Sequence, residues 1–236
     1  MINYEDRELE QMVLSGNSCI AVPIEIYVPV EGDAQITVYS CFAKVAEEYE
    51  SRFKNDLLSA NALNWLDSKL YADAKMFGYD HCEDDIHMLC EYSITDASRL
   101  YKSDTEDVRI INSEIELAGL DITLIDGVLI DKTAAVIVRD NKLVSIACAN
   151  DVPFEDNSIE LFVETDADYR CSGFGAATVT ALTKIYLEKG RIVRYKCAKN
   201  NAASVHLAEK CGFKKNGERY SYVCYANEEN RSNEDF

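Results

Sequence analysis

The segment that most constrains this chain is Tyr169-Arg-Cys-Ser-Gly173-Phe-Gly175-Ala-Ala177, set between an apolar β run at 158–165 and a helical run from about 175 to 189. Two closely spaced glycines at a strand-to-helix junction let the backbone turn tightly and come close to a ligand. The helix that begins there presents unpaired N–H groups and the positive end of its dipole. With Arg170 alongside, such a junction suits a pyrophosphate. Gly-x-Gly pairs also mark plain tight turns, so the glycines alone leave a purely structural turn as an equal alternative.

The elements around that junction alternate in a consistent way. Apolar runs 134–139 and 143–149 flank Asp140-Asn141, a two-residue hairpin signal. Strands are expected at 122–130, 158–165 and 192–197, with helices at about 175–189 and 202–211 ended by Gly190 and Gly212. A final hairpin is read through 220–225. Upstream, helices are expected at 41–54 (stripe Phe42, Val45, Ala46, Tyr49, Phe53) and from about 60 to 78 (Leu63, Leu66, Leu70, with Trp65 read as core). Residues 20–28 read as a strand that Pro23 pushes to a sheet edge. Short strands are expected near 86–92 and 108–111. The pattern divides the chain into a helix-rich half at 1–117, an α+β core at 118–226 with a mixed sheet, and a polar, disordered tail at 227–236.

Composition narrows the function classes. The 236 residues carry 24 Lys+Arg against 42 Asp+Glu, a net −18, which argues against a general nucleic-acid binder. No apolar run reaches membrane-spanning length, and the acidic start Met1-Ile-Asn-Tyr-Glu-Asp is unlike a signal peptide. Nine cysteines without any CxxC pair fit a reducing, cytoplasmic compartment. His81, Cys82, His87 and Cys90 do not match a zinc-ligand spacing, so no metal is expected. Cys171 lacks a His partner for nucleophilic work, and His206 reads as a helix-surface residue. Charge is uneven: residues 184–219 hold ten Lys/Arg against three acids, a local +7 that leaves −25 elsewhere. A basic zone of that kind suits an anionic ligand.

Arg170-x-x-Gly173-x-Gly175 after a strand resembles the acyl-CoA-binding signature of the GNAT N-acetyltransferases. Asn201-Ala-Ala-Ser204, followed by Gly212-Phe213 at the helix end, resembles that family's second signature. Glu164-Thr165 and Leu207-Ala-Glu-Lys-Cys-Gly212 look more narrowly like a subgroup with an N-terminal extension that includes a zwittermicin-resistance type of acetyltransferase. The resemblance covers roughly 158–225.

The resemblance implies a GNAT fold and transfer of an acetyl group from acetyl-CoA to an amine by direct attack, with no metal. The contacts it implies to acetyl-CoA are Val163, Thr165, Arg170, Cys171, Ser172, Gly173, Phe174, Gly175, Asn201 and Ser204. Glu164 is the favoured general base and Glu160 the second choice. Many family members place a tyrosine where this chain has Ala208. Proton donation to the leaving thiolate then passes to Tyr222, Tyr220 or water. The acceptor is a small-molecule or peptide amine, and the acidic remainder of the chain favours a cationic one. No nucleic acid or membrane is expected as a partner, and a homodimer stays open. Residues 1–117 would serve the acceptor side or be a degenerate domain. The rival reading is a domain that binds acyl-CoA as a sensor without turnover. One that binds nothing is disfavoured by the intact Arg170/Gly173/Gly175 loop.

Overall fold

Two amphipathic helices and a strand ladder make up the N-terminal part of the chain. The computed structural model describes residues 1–4, 20–76, 79–81, 88–103, 107–125, 133–150 and 156–226. The expected tail, and Cys82 and His87 of the His/Cys cluster, lie outside these residues. The chain divides into one unit of residues 1–90, 198–200 and 217–236, and another of 91–197 and 201–216.

In the first unit, β1 (Ile2–Tyr4), β2 (Ile20–Pro29) and β3 (Gln35–Val38) precede α1 (Ala43–Phe53) and α2 (Ala60–Met76). β4 (Tyr79–His81) and β5 (Met88–Ile94) follow, and the unit is completed by residues 217–226 of the last strand, β11 (Lys214–Ala226). The helical stripes bury as their spacing requires: Ala46, Tyr49, Leu66 and Leu70 pack with Ile24, Ile26 and Ile36 of the ladder. Trp65 is only partly buried, in a three-ring cluster with Tyr49 and Phe53 and with Arg52 and Lys69 over its ring.

Two expectations fail here for physical reasons. β2 pairs with β3 and also with β11, so it is not an edge strand. Its register slips between Ile24↔Tyr222 and Ala21↔Cys224, and the slip leaves room for Pro23, which has no N–H to pair. The expected terminal hairpin is instead one long strand whose partner, β2, lies nearly two hundred residues upstream.

The second unit holds β6 (Arg109–Ile111), β7 (Ala134–Arg139), β8 (Lys142–Asn150), β9 (Ser158–Thr165), α3 (Phe174–Glu188), β10 (Ile192–Ala198) and α4 (Ala202–Lys210). Residues 91–94 of β5 lie beside β10, and the order continues β9, β8, β7, β6. β9 and β10 are parallel and the other pairs from β6 to β9 antiparallel, which gives the expected mixed sheet. Asp140 and Asn141 take φ of 48° and 64°, as the two-residue turn between β7 and β8 requires. Helix α3 packs through Ala177 on Ile137 and Val144, while Val136 and Ile146 pack with Ile111 and Leu117.

That packing explains why the unit boundary falls after residue 90 and not at 117: β6 pairs with β7, and Leu117 and Ile125 are buried against β7 and β8. The expected strand 122–130 is a 3₁₀ turn at Thr123–Ile125, with the rest outside the described residues.

Gly212 shows how tightly α4 is set. Its φ is +94°, and a Cβ there would lie 2.0 Å from the Arg99 carbonyl oxygen. Gly212→Ala should therefore lower the unfolding free energy by about 1–3 kcal/mol from backbone strain alone, with the clash added. Thermal or denaturant unfolding of the variant checks this.

Candidate functional site

β9 and β10 part company halfway along their length. They pair from Ser158↔Ile192 to Leu161↔Tyr195 and no further, while β9 stays in register with β8 to Thr165. Asp166 donates its N–H to the Val144 carbonyl at 2.9 Å, which sets the alternation along β9. Phe162 and Glu164 therefore point their backbone groups toward β8, and Val163 and Thr165 point theirs into the opening gap. Thr165 confirms that direction: its N–H donates to Glu164 Oε1 at 3.3 Å and its carbonyl accepts from Arg170 Nε at 3.2 Å. The gap belongs to a cleft of about 590 Å³, a size suited to a small-molecule site. It is lined by Val163 and Thr165 on β9, Tyr195 on β10, the start of α3, and Ser204 and Leu207 on α4.

The loop from β9 to α3 is anchored at both ends. Asp166 accepts from Lys142 Nζ at 2.6 Å and from the Asp168 N–H at 3.0 Å, capping a 3₁₀ turn at Ala167–Tyr169. The bond from Lys142, then that from the Asp168 N–H, holds the Asp166 carboxyl below its ordinary value of 3.8. Tyr169 stacks on Phe174 with centroids 6.2 Å apart, and Arg139 lies 5.1 Å over the Phe174 ring. Cys171 and Gly173 both take positive φ, 62° and 82°. Gly173 caps α3 without a side-chain acceptor, so the first N–H groups of the helix face the cleft uncapped. A Cβ on Gly175 would come within 3.2 Å of Thr165 Oγ1. That hydroxyl also meets Ser145 Oγ at 2.9 Å, and Ser145 Oγ reaches Thr178 Oγ1 at 3.3 Å. A chain of hydroxyls thus ties the end of β9 to the first turns of α3.

The expected site residues fall into three groups. Val163, Thr165, Arg170, Cys171, Gly173, Phe174, Gly175, Asn201 and Ser204 line the cleft, as does Glu164, whereas Ser172 does not. Asn201 caps α4 by accepting the Ser204 N–H at 3.0 Å. Glu164 and Arg170 form a 3.3 Å ion pair at side-chain exposures of 37% and 63%. An exposed pair of this kind contributes little and is easily exchanged.

Glu160 does not line the cleft. Glu160 points from β9 to Lys196 Nζ at 2.9 Å on β10. Tyr222 is buried in the first unit's core, donating its hydroxyl to Asp67 at 3.2 Å, and Tyr220 is buried in the same core. Burial and the Asp67 carboxylate push both phenols above their ordinary value.

Sequence reasoning missed Tyr195, Leu207 and Lys210; His206 is exposed on α4 as expected, at the wall of the cleft. Tyr195 is buried, and its hydroxyl lies 2.6 Å from Ser204 Oγ. Burial pushes the phenol up to about 12, opposed by the Ser204 hydrogen bond and reinforced by Cys197, Cys211 and Glu164. Its only sequence signal is alternation with Val193 and Cys197, which equally marks a core residue. Among the described residues there is no cluster of three or more His, Cys, Asp or Glu side chains placed to hold a metal, and no helix long and apolar enough to cross a membrane.

Comparison with known proteins agrees with this geometry. Residues 134–225 match the model of the GNAT acetyltransferase family. Among solved structures, the chain resembles a GNAT-family acetyltransferase from Novosphingobium aromaticivorans at 16% identity and a TM-score of 0.51, over 64% of this chain and 68% of that one. An acetyltransferase of the same family from Colwellia psychrerythraea aligns at 14% identity and a TM-score of 0.46, over 84% and 81%. No curated protein matches the chain. The fold is the GNAT fold, a mixed sheet with flanking helices.

Removing the Asp166 charge should loosen the loop in a pH-dependent way. A carboxyl held below its ordinary value stabilises the folded state fully above about pH 4 and loses that contribution as pH falls through its lowered value. Asp166→Asn should accordingly melt below wild type at pH 7, with the two melting curves converging as the pH drops below 3.8. Melting temperatures between pH 7 and 3 report it.

Proposed function

We propose, from the family match over residues 134–225 and the parted strands at its centre, that this protein transfers an acetyl group from acetyl-CoA to an amine. The observation that carries the proposal is the gap beyond Leu161 and Tyr195, with the Val163 and Thr165 backbone turned into it beside an uncapped helix start. An extended pantetheine arm can pair with that edge as an added strand, and the α3 N-terminus with Arg170 suits the pyrophosphate. Lys210, at the cleft wall, adds positive charge for the remaining phosphate. Acetyl-CoA supplies the activated acetyl group; the residues bind, orient and move protons.

Val163 offers its N–H to the thioester oxygen as negative charge develops there. Glu164 serves as the base. An alkylammonium with a pKa of about 10.4 costs roughly 4–5 kcal/mol to deprotonate at pH 7, and a carboxylate at the cleft wall offsets part of that cost. In this structure Glu164 is held by Arg170 and the Thr165 N–H. A phosphate that takes Arg170, with an arm that takes Thr165, would free the carboxylate for the amine. Glu160 serves β9–β10 cohesion through Lys196. The subgroup resemblance in Glu164-Thr165 and in 207–212 supports placement among the zwittermicin-resistance-like members. The acidic remainder of the chain supports a cationic acceptor, and nine cysteines without a CxxC pair support a cytoplasmic protein.

Gly173→Val and Gly175→Val should abolish acetyl-CoA binding in calorimetry while circular dichroism stays native, because one forces a branched residue into a left-handed φ and the other crowds Thr165. Unchanged affinity would contradict the site. With a panel of polyamines and amino sugars, thiol release by Glu164→Gln should fall ~10²–10⁴-fold and lose the wild-type rise with pH, while Glu160→Gln stays within a few-fold. Binding of acetyl-CoA without any thiol release would identify an acyl-CoA sensor instead, a reading that Ala208 favours.

A further inference from the structure

We infer that Tyr195 is the proton donor to the departing sulfur, reaching from β10 the place that a tyrosine at position 208 would reach from α4. The inference rests on the acyl-CoA reading above and adds its missing acid. Long side chains on a helix lean back toward its N-terminus, so a tyrosine at 208 would extend over the turn that carries Ser204. Position 208 is a fully buried alanine, and the hydroxyl at Ser204 comes from Tyr195 instead, 2.6 Å away. The Tyr195 ring is held against Phe213 with centroids 5.8 Å apart. Two different positions, on a strand and on a helix, thus deliver a phenol to one end of one cleft.

Tyr195 is also the last residue of β10 in register with β9, opposite Leu161. Two residues beyond Leu161, Val163 turns its N–H into the gap, and the cleft that it lines is lined by Tyr195 as well. Across the cleft is Glu164, whose charge acts on the phenol. Base and acid therefore flank the reaction site from the two parted strands. The buried hydroxyl stays protonated through the neutral range.

The step balances within these groups. The amine nitrogen bonds to the acetyl carbon and the carbon–sulfur bond breaks, its electron pair passing to sulfur. Sulfur takes the Tyr195 proton and leaves as the free thiol, while the Ser204 hydroxyl donates to the transient phenolate. Glu164 takes the ammonium proton before attack and passes it to solvent; the second proton, lost from nitrogen as the amide forms, returns through Glu164 and solvent to Tyr195.

The test needs no acceptor. CoA carrying carbon-13 beside its sulfur is added to the full chain, and the label's shift is followed against pH to give the bound thiol's pKa. A hydrogen bond from Tyr195 to the thiolate should hold that pKa down, so Tyr195→Phe should raise it by about 1 to 2 while calorimetric CoA affinity stays within a few-fold. Site-specific 3-fluorotyrosine at 195, a more acidic phenol that keeps the ring in place, should move it the other way. A bound thiol unaffected by both changes overturns the assignment while leaving the acyl-CoA reading intact. Absence of CoA binding to the wild type overturns both. With an acceptor in hand, Tyr195→Phe should lower kcat about 10²–10⁴-fold.

Discussion

The parting of β9 from β10 is the constraint on which the site depends. Two parallel strands that have paired for four residues would ordinarily continue, because an unpaired buried backbone group costs about 1–3 kcal/mol. Here β9 is held to β8 through Thr165 and Asp166 while its other edge opens. The opening leaves the Val163 and Thr165 backbone turned toward a cleft. Thr165 is satisfied locally by Glu164 and Arg170, side chains that a ligand can displace because their contacts are exposed and long. An extended ligand with its own amide groups answers that edge in the way another strand would.

The surrounding features keep the open edge in place. Lys142 and the Asp168 N–H hold Asp166, which starts the turn toward α3 at a fixed point. Gly173 supplies the left-handed φ that redirects the chain, and the lack of a Cβ at Gly175 lets the helix start close against Thr165. The Ser145, Thr165 and Thr178 hydroxyls then link strand end to helix. At the far wall, Gly212 brings α4 to its position beneath the Arg99 backbone. The helix start that suits a phosphate and the strand edge that suits an amide-bearing arm are therefore set by one short run of residues, 163–176.

Much of this was legible from local sequence signals. Asp140-Asn141 announced its turn through residues tolerant of positive φ, and Gly173 and Gly175 announced the tight strand-to-helix turn that starts α3. The amphipathic stripes of α1 and α2 gave their buried faces directly. What sequence hid was long-range. Pro23 reads as an edge signal, and only the bulge against β11 shows how it sits within a ladder. The terminal run looks like a hairpin because nothing local reveals a partner as distant as β2. Tyr222 and Tyr195 both lie in apolar alternation, and the second is distinguished only by where β10 meets α4. Glu160 and Glu164 are likewise equivalent by pattern and separated only by their partners, Lys196 and Arg170.

Amide hydrogen exchange with and without acetyl-CoA tests the central claim most directly, because it reads the backbone edge itself. The account predicts new protection at Val163 and Thr165 and at the start of α3, residues 174–176, with the amides of β7 little changed. Binding that leaves 163–165 and 174–176 unprotected, or protects other segments in their place, would contradict it.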